Sequence, residues 1–240
     1  MEKTAKTIQG VHKMNPFTVF IPVYNEEQII VKNTERLTAY LNGLNTPYEI
    51  IIGSNGSTDR TPELGEGLQK RYKNLKFFHT DEKGPGNALK KAIPMASYEN
   101  IISADMDLTV DLDFIRRANA LLTDYDMVVG SKRMGTQKRS FMRKMASASF
   151  IFCSMILLWL SFDDYSLAAK AYKKKILEGC MDKVDSGTFY VVEAIYYASK
   201  NNYYMVQIPA SCHDERKSKF NLLHEGFYRF GKLFKLWLTK

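Results

Sequence analysis

Five short apolar runs punctuate the first half of the chain: FTVFIPV (17–23), YEIIIGS (48–54), LKFFH (75–79), NIISA (100–104) and DMVVGS (126–131). They are rich in β-branched and aromatic side chains and bounded by Gly, Asn or Asp, which is the pattern of buried strands. The stretches between them, 26–44, 60–73, 86–96 and 111–123, carry helical spacing instead. Asp111 stands where an N-cap is wanted, and Pro62 where a first turn tolerates proline. Alternating strands and helices with short connections predict a mostly parallel, doubly wound α/β sheet. Ligands of such sheets gather at the carboxyl ends of the strands, and every unusual polar cluster here falls just after one of those runs.

The second half has a different pattern. A basic loop (132–144) leads into the most apolar stretch, 146–160. At about 15 residues it is shorter than the roughly 20 needed to cross a bilayer, and Ser147, Ser149 and Ser154 interrupt it. It reads as a buried or membrane-surface helix. Then come DDYSLAAKAYKK (163–174), a helix near 189–200 and a strand at 203–209. In the last segment, 221–240, Phe227, Tyr228, Phe230, Phe234 and Trp237 alternate with Arg229, Lys232, Lys235 and Lys240. This suits an interfacial helix at an anionic leaflet; a helix packing its aromatics on the core gives the same pattern. With no repeat, low-complexity linker or clean boundary, residues 1–240 are expected to form a single domain.

A net charge of +8 adds an expectation of anionic partners, whether nucleic acid, phosphorylated small molecules or lipid headgroups. No helix-turn-helix, zinc-finger or RNA-binding motif is present, and paired carboxylates would repel nucleic-acid phosphates, so no nucleic-acid partner is expected. Cys153, Cys180 and Cys212 are odd in number and lack CxxC spacing, which fits a reducing compartment. The first sixteen residues have no apolar core and so do not read as a secretory signal.

Four clusters carry candidate chemistry. Pro22-Val23-Tyr24-Asn25-Glu26, at the end of the first run, can hold a nucleotide, with Tyr24 stacking on a base and Glu26 accepting from ribose or base. An ordinary strand exit with polar capping accounts for the same residues. Gly53-Ser54-Asn55-Gly56-Ser57-Thr58-Asp59 permits close backbone approach to a ligand, and equally supplies a helix N-cap. Lys83-Gly84-Pro85-Gly86 precedes a helix whose amino end can meet a phosphate, though without P-loop spacing; a plain Pro-Gly turn is the alternative. Asp105-Met106-Asp107 places two carboxylates behind a buried run, a costly arrangement unless something positive compensates them. Mg²⁺ or Mn²⁺ suits such hard oxygen ligands and commonly shares them with substrate phosphates.

The order P-x-Y-N-E, G-S-T-D, K-G-x-G-x-A, D-x-D and V-V-G-S resembles the family 2 glycosyltransferases of the GT-A fold. Asp164 six residues ahead of Lys170, then Phe189 and Glu193, then Arg216, Ser218 and Lys219, are similar to one branch, the polyprenyl-phosphate sugar transferases. That branch includes dolichyl-phosphate glucose and mannose synthases and their bacterial lipid-carrier relatives. The resemblance implies a nucleotide-sugar half (17–135), an acceptor half (136–220) and an interfacial helix (221–240). It further implies donor binding by Pro22, Tyr24, Asn25, Glu26, Ser54, Asn55, Lys83, Asp105, Met106 and Asp107. Asp105 and Asp107 would hold Mg²⁺ or Mn²⁺, with a lesser contact at Thr109, and Asp105, Asp107 and Asp164 would form the catalytic set. Arg133, Arg139, Arg143, Lys170, Glu193, Arg216 and Lys219 would bind the acceptor. Lys132 and Lys217 add to the same basic character.

The expected donor is UDP-glucose or GDP-mannose, and the acceptor a polyprenyl phosphate at an anionic membrane surface. The reaction is in-line displacement with inversion, and attachment is peripheral, on the cytoplasmic face. Two departures stand out: the family usually has Asp-Asp where this chain has Ser54-Asn55, and Gly where it has Ala168. A soluble or polysaccharide acceptor, a nucleotidyltransferase and a non-catalytic membrane scaffold are the competing readings.

Overall fold

A computed structural model describes residues 14–135, 141–212 and 222–240; of residues 141–144 and 222–224 only the backbone is described. In chain order the elements are β1 (Phe17–Val23), α1 (Ile30–Asn42), β2 (Tyr48–Asn55), α2 (Thr61–Arg71), β3 (Leu75–Thr80), α3 (Pro85–Met95), β4 (Asn100–Ser103), α4 (Asp113–Leu121) and β5 (Met127–Ser131). There follow α5 (Phe141–Leu158), β6 (Lys170–Lys173), α6 (Lys174–Cys180), α7 (Tyr190–Lys200), β7 (Met205–Pro209) and α8 (Leu222–Leu238).

The strands form one sheet in the order β3-β2-β1-β4-β6-β5-β7. Every pairing is parallel except those of β6, which runs antiparallel to both β4 and β5. The expected mostly parallel sheet is observed; β6 and the short helix α6 after it are elements that the sequence did not announce. Side-chain alternation divides the core into two layers. Val19, Ile21, Ile50, Ile52 and Ile102 face α1, α2 and α4 through Leu37, Leu41, Leu68, Ile115 and Ala118. Phe20, Ile51, Ile101 and Tyr172 face the other way, onto α3, α6 and α7 through Leu89, Ile93, Ile176, Val192 and Ile195. Pro62 lies in the first turn of α2. Asp111 Oδ1 accepts from Phe114 N (3.0 Å), as a residue capping α4 would.

β1 is the switch point of the topology. The chain proceeds outward from β1 to β2 and β3, then returns to place β4 on the other side of β1. Crevices at such reversals are where open α/β sheets receive ligands. Here β4 pairs with β1 only as far as Phe20↔Ser103, while β1 continues to Val23. The clusters that follow β1 and β4 therefore open on one step in the sheet edge.

Helices α5 and α8 pack against each other and against the core through Phe150, Leu158 and Leu233, yet keep apolar outer faces. Met145, Phe152, Met155 and Ile156 along α5, Trp159 directly after it, and Phe227, Phe230, Phe234 and Leu238 along α8 are exposed. The last segment thus packs one face on the core through Tyr228, Leu233 and Trp237 and leaves Phe227, Phe234 and Leu238 exposed on the other. Among the described residues, no helix is long and apolar enough to cross a membrane.

Candidate functional site at the carboxyl ends of β1, β2 and β4

The loops after β1 and β2 interlock. Asn25 takes φ 52°, a left-handed conformation that asparagine tolerates. Its N–H donates to Ser57 Oγ (3.1 Å), and its side-chain carbonyl accepts from Thr58 N (2.8 Å). Glu26 N donates to Thr61 Oγ1 (2.8 Å) and Glu27 N to Asp59 Oδ2 (3.2 Å). Asp59 Oδ1 also accepts from Thr61 N (2.9 Å), so the 57–61 segment both leads into α2 and holds the backbone of the first loop. Pro22 is half-buried at the end of β1, and Tyr24 is exposed with the Lys83 ammonium 4.8 Å from its ring centre. A tyrosine face and a lysine, read separately from two strand ends, meet as a cation–π pair.

Ser54 and Asn55 are turned inward. Ser54 is fully buried, with its Oγ donating to Ser57 Oγ (2.9 Å) and lying 2.9 Å from His79 Nδ1. Asn55 donates from Nδ2 to Val23 O (2.9 Å) and accepts at Oδ1 from Gly84 N (3.0 Å). This gives the departure from Asp-Asp a physical reason, because an ionised Asp could not donate to the Val23 carbonyl. Asn55→Ala is expected to cost about 1–3 kcal/mol by stranding those two backbone groups. Urea denaturation would read it, and a loss under about 0.5 kcal/mol would show that the bridge contributes little net stability.

The glycines of the Lys83-Gly84-Pro85-Gly86 turn do not frame an open phosphate cradle. A Cβ on Gly84 would stand 2.1 Å from Ser186 O, and one on Gly86 2.0 Å from Asp185 O. Close approach of the 185–187 backbone is what requires them, and Asn87 N already donates to Ser186 O (3.1 Å).

Asp105 and Asp107 lie on a tight turn directly after β4. Leu108 N closes it onto Asp105 O (3.1 Å), with Leu108 at φ 49°. Thr109 N donates to Asp107 Oδ1 (3.1 Å), and Asn33 Nδ2 on α1 holds Met106 O (2.9 Å). Met106 is buried, so it anchors the turn while both carboxylates remain partly exposed. Among the described residues no group of three or more His, Cys, Asp or Glu side chains could hold a metal. Two carboxylates with external phosphate and water are nonetheless the usual Mg²⁺ arrangement, so the donor set fits such an ion.

Asp164 and Lys170 sit deeper. Asp164 is 2% exposed, and its carboxylate accepts from Ser166 N (2.8 Å), Leu167 N (3.1 Å) and Lys132 N (3.3 Å). The Lys132 ammonium lies 3.4 Å from Asp164 Oδ2 and donates to Ser166 Oγ (2.6 Å). Burial works to raise the Asp164 pKa, but Lys132, Lys170 and the two loop N–H groups outweigh it and hold the carboxyl at about 2. Lys170 is fully buried and donates to Leu167 O (2.8 Å); burial pulls its ammonium down to about 8 against the attraction of Asp164. Lys132, read with the basic loop as an anion contact, is instead an internal partner of Asp164. A lysine directly behind a buried strand was the available signal. Asp164 and Lys170 likewise face this chain's own groups.

Of the other acceptor candidates, Arg133 is exposed just after β5. Arg139, Arg216 and Lys219 lie outside the described residues, as do Lys217 and Ser218, while Arg143 is on α5 with its side chain outside them. Glu193, on α7, accepts from Asp185 N, and burial raises its carboxyl above the ordinary range. Sequence reasoning passed over two further charged groups. Asp185 sits in a loop without motif spacing, and Arg229 was read as one cation among many. Arg229 Nη2 donates to Tyr165 O (2.8 Å), and its guanidinium lies 4.8 Å from the Phe150 ring centre.

Residues 18–181 match glycosyl transferase family 2. The chain is 25% identical to glycosyltransferase AglD of Haloferax volcanii over 97% of its own length and 38% of that protein. It is 27% identical to undecaprenyl-phosphate 4-deoxy-4-formamido-L-arabinose transferase of Serratia proteamaculans, over 89% of its own length and 65% of that protein. It therefore spans less than two thirds of either relative. Among solved structures, glucosyl-3-phosphoglycerate synthase of Mycobacterium tuberculosis in complex with UDP superposes with a TM-score of 0.69 at 14% identity, over 92% of this chain and 79% of that one. The same enzyme with Mn²⁺, UDP and glucosyl-3-phosphoglycerate gives a TM-score of 0.66 at 13% identity, again over 92% and 79%. The chain belongs to glycosyl transferase family 2, and its mostly parallel α/β sheet has the GT-A fold.

Proposed function

We propose that the chain transfers a hexose from a nucleoside diphosphate donor to a polyprenyl phosphate at a membrane surface. The observation that carries this reading is the Asp105–Asp107 turn, partly exposed after β4, with the Tyr24–Lys83 pair following the neighbouring strand β1. Tyr24 and Lys83 would frame the nucleotide, with Asn25 and Glu26 shaping the wall beside it. A Mg²⁺ or Mn²⁺ ion held by Asp105 and Asp107 would neutralise charge on the departing nucleoside diphosphate. UDP-glucose and GDP-mannose are the donors to test; solved neighbours with UDP make the uridine donor the first choice.

For the acceptor, the Serratia relative's undecaprenyl phosphate provides the chemical class. A phosphomonoester has a second pKa near 6 and is largely deprotonated at neutral pH, so it attacks without a strong protein base. Such a nucleophile needs cations more than a general base. Arg133, exposed just after the end of β5, would supply one cation, with Arg143, Arg139, Arg216 and Lys219 as further candidates. Attack opposite the leaving group inverts the anomeric centre. Asp164 serves by holding Lys132 and Lys170 under the floor of the site. The apolar outer stripes of α5 and α8, bordered by exposed Lys235 and Lys240, suit the boundary of an anionic leaflet. That is where a lipid phosphate is met.

The test is incorporation of labelled sugar into organic-extractable lipid. The purified chain would receive polyprenyl phosphate in anionic vesicles with each nucleotide-sugar, with Mn²⁺ or Mg²⁺ and again with EDTA. The expected result is lipid label that EDTA abolishes. Donor hydrolysis without lipid label would retain the donor site and remove the lipid acceptor.

A further inference from the structure

Helix α8 is fastened by more than apolar packing. On its inner side Glu225 accepts from Thr188 Oγ1, while Tyr228 OH and Lys232 Nζ (2.7 Å) both donate to Asp185. All three contacts fall on the loop between α6 and α7. Asp185 is the node of that loop. Its side chain is 5% exposed, and its carboxylate also accepts from Gly187 N (2.7 Å). Gly187 makes room for the tyrosine, since a Cβ there would stand 2.3 Å from the Tyr228 hydroxyl oxygen. A buried carboxylate with three donors is costly to disturb, because removing its charge weakens the bonds that Tyr228, Lys232 and Gly187 donate to it.

The main chain of the same loop faces the amino end of α3. Ser186 O accepts from Asn87 N (3.1 Å), and Asp185 O and Ser186 O occupy the space that side chains at Gly86 and Gly84 would need. Directly before that helix end stand Lys83, whose ammonium lies over Tyr24, and Gly84, whose N–H binds Asn55. One loop is therefore gripped by α8 on one side and fits the nucleotide-side turn on the other.

We propose that Asp185 is a positioning residue of the nucleotide subsite: through its carboxylate, α8 sets the 185–187 loop, and that loop fixes the amino end of α3 with Lys83. This rests on the donor reading above. It makes α8 part of the catalytic unit as well as a surface element, and it predicts that loosening the grip weakens nucleotide binding without any contact to nucleotide being lost.

Asp185→Asn keeps the shape and the acceptor for Gly187 N but removes the charge. In the full chain, amide exchange at Asn87 and Ala88 is expected to accelerate about tenfold while α2 amides are unchanged. Calorimetric affinity for UDP or GDP with Mn²⁺ should fall about tenfold, as for other groups that orient a ligand-binding residue from behind. The loss should appear in donor KM, with kcat nearly unchanged. Tyr228→Phe removes one donor to Asp185 and supplies the same test if Asp185→Asn does not fold. Wild-type nucleotide affinity in a folded variant, or unchanged exchange at Asn87, would overturn the proposal. If the wild-type chain binds neither nucleotide, the donor reading fails and this inference falls with it.

Discussion

Replacing Asp107 with alanine is expected to lower sugar transfer by about a thousandfold or more, the effect of withdrawing several kcal/mol of charge stabilisation from a leaving diphosphate. Stability should fall by only about 1 kcal/mol, the net value of one hydrogen bond, since Thr109 N loses Asp107 Oδ1 while Met106 and Asn33 still hold the turn. Asp107→Asn separates the two roles: it keeps an acceptor for Thr109 N and removes the charge. Activity should be lost in both variants, and Mn²⁺-dependent UDP binding should weaken in both. Full turnover of either with Mg²⁺ present would remove the metal assignment and leave the turn a structural feature.

The legible parts of the fold were those set by local pattern. Runs such as FTVFIPV and YEIIIGS became β1 and β2, because alternating burial on both faces needs only a short β-branched or aromatic stretch. Strand β6 escaped notice because KAYK starts and ends with lysine, and it acquires its place from the free edges of β4 and β5. Of the candidate site, the acidic turn was visible because two carboxylates behind a buried strand are unusual. What stayed hidden were pairings over long sequence separations. Lys132 meets Asp164 across 32 residues, and Tyr228 meets Asp185 across 43. A lone charge in a loop carries no periodicity that would reveal its partner. The glycines before α3 show the converse, in which a motif-like spacing serves backbone packing.

Asp164→Asn should behave in the opposite way to the Asp107 variants, with its main effect on stability. It leaves the buried Lys132 and Lys170 without their carboxylate, and stranding buried charge costs about 3–5 kcal/mol. For a chain of this size that lowers Tm by on the order of 10 °C. The pH dependence gives a sharper test. The Asp164 pKa is about 2 in the fold against an ordinary 3.8, so its contribution is present above pH 3.8 and is lost as pH falls through 2. Lys170 stands at about 8 against an ordinary 10.5, so between those values the unfolded chain binds the extra proton and stability rises with pH. Above pH 8 Lys170 is neutral in the wild type, and its attraction to Asp164 disappears. The stability gap between wild type and Asp164→Asn should therefore be widest near pH 6 and narrow toward pH 9.5, read by denaturant titration at each pH. A gap of constant size across that range would show that Lys132 and Arg229, and not Lys170, answer the Asp164 charge.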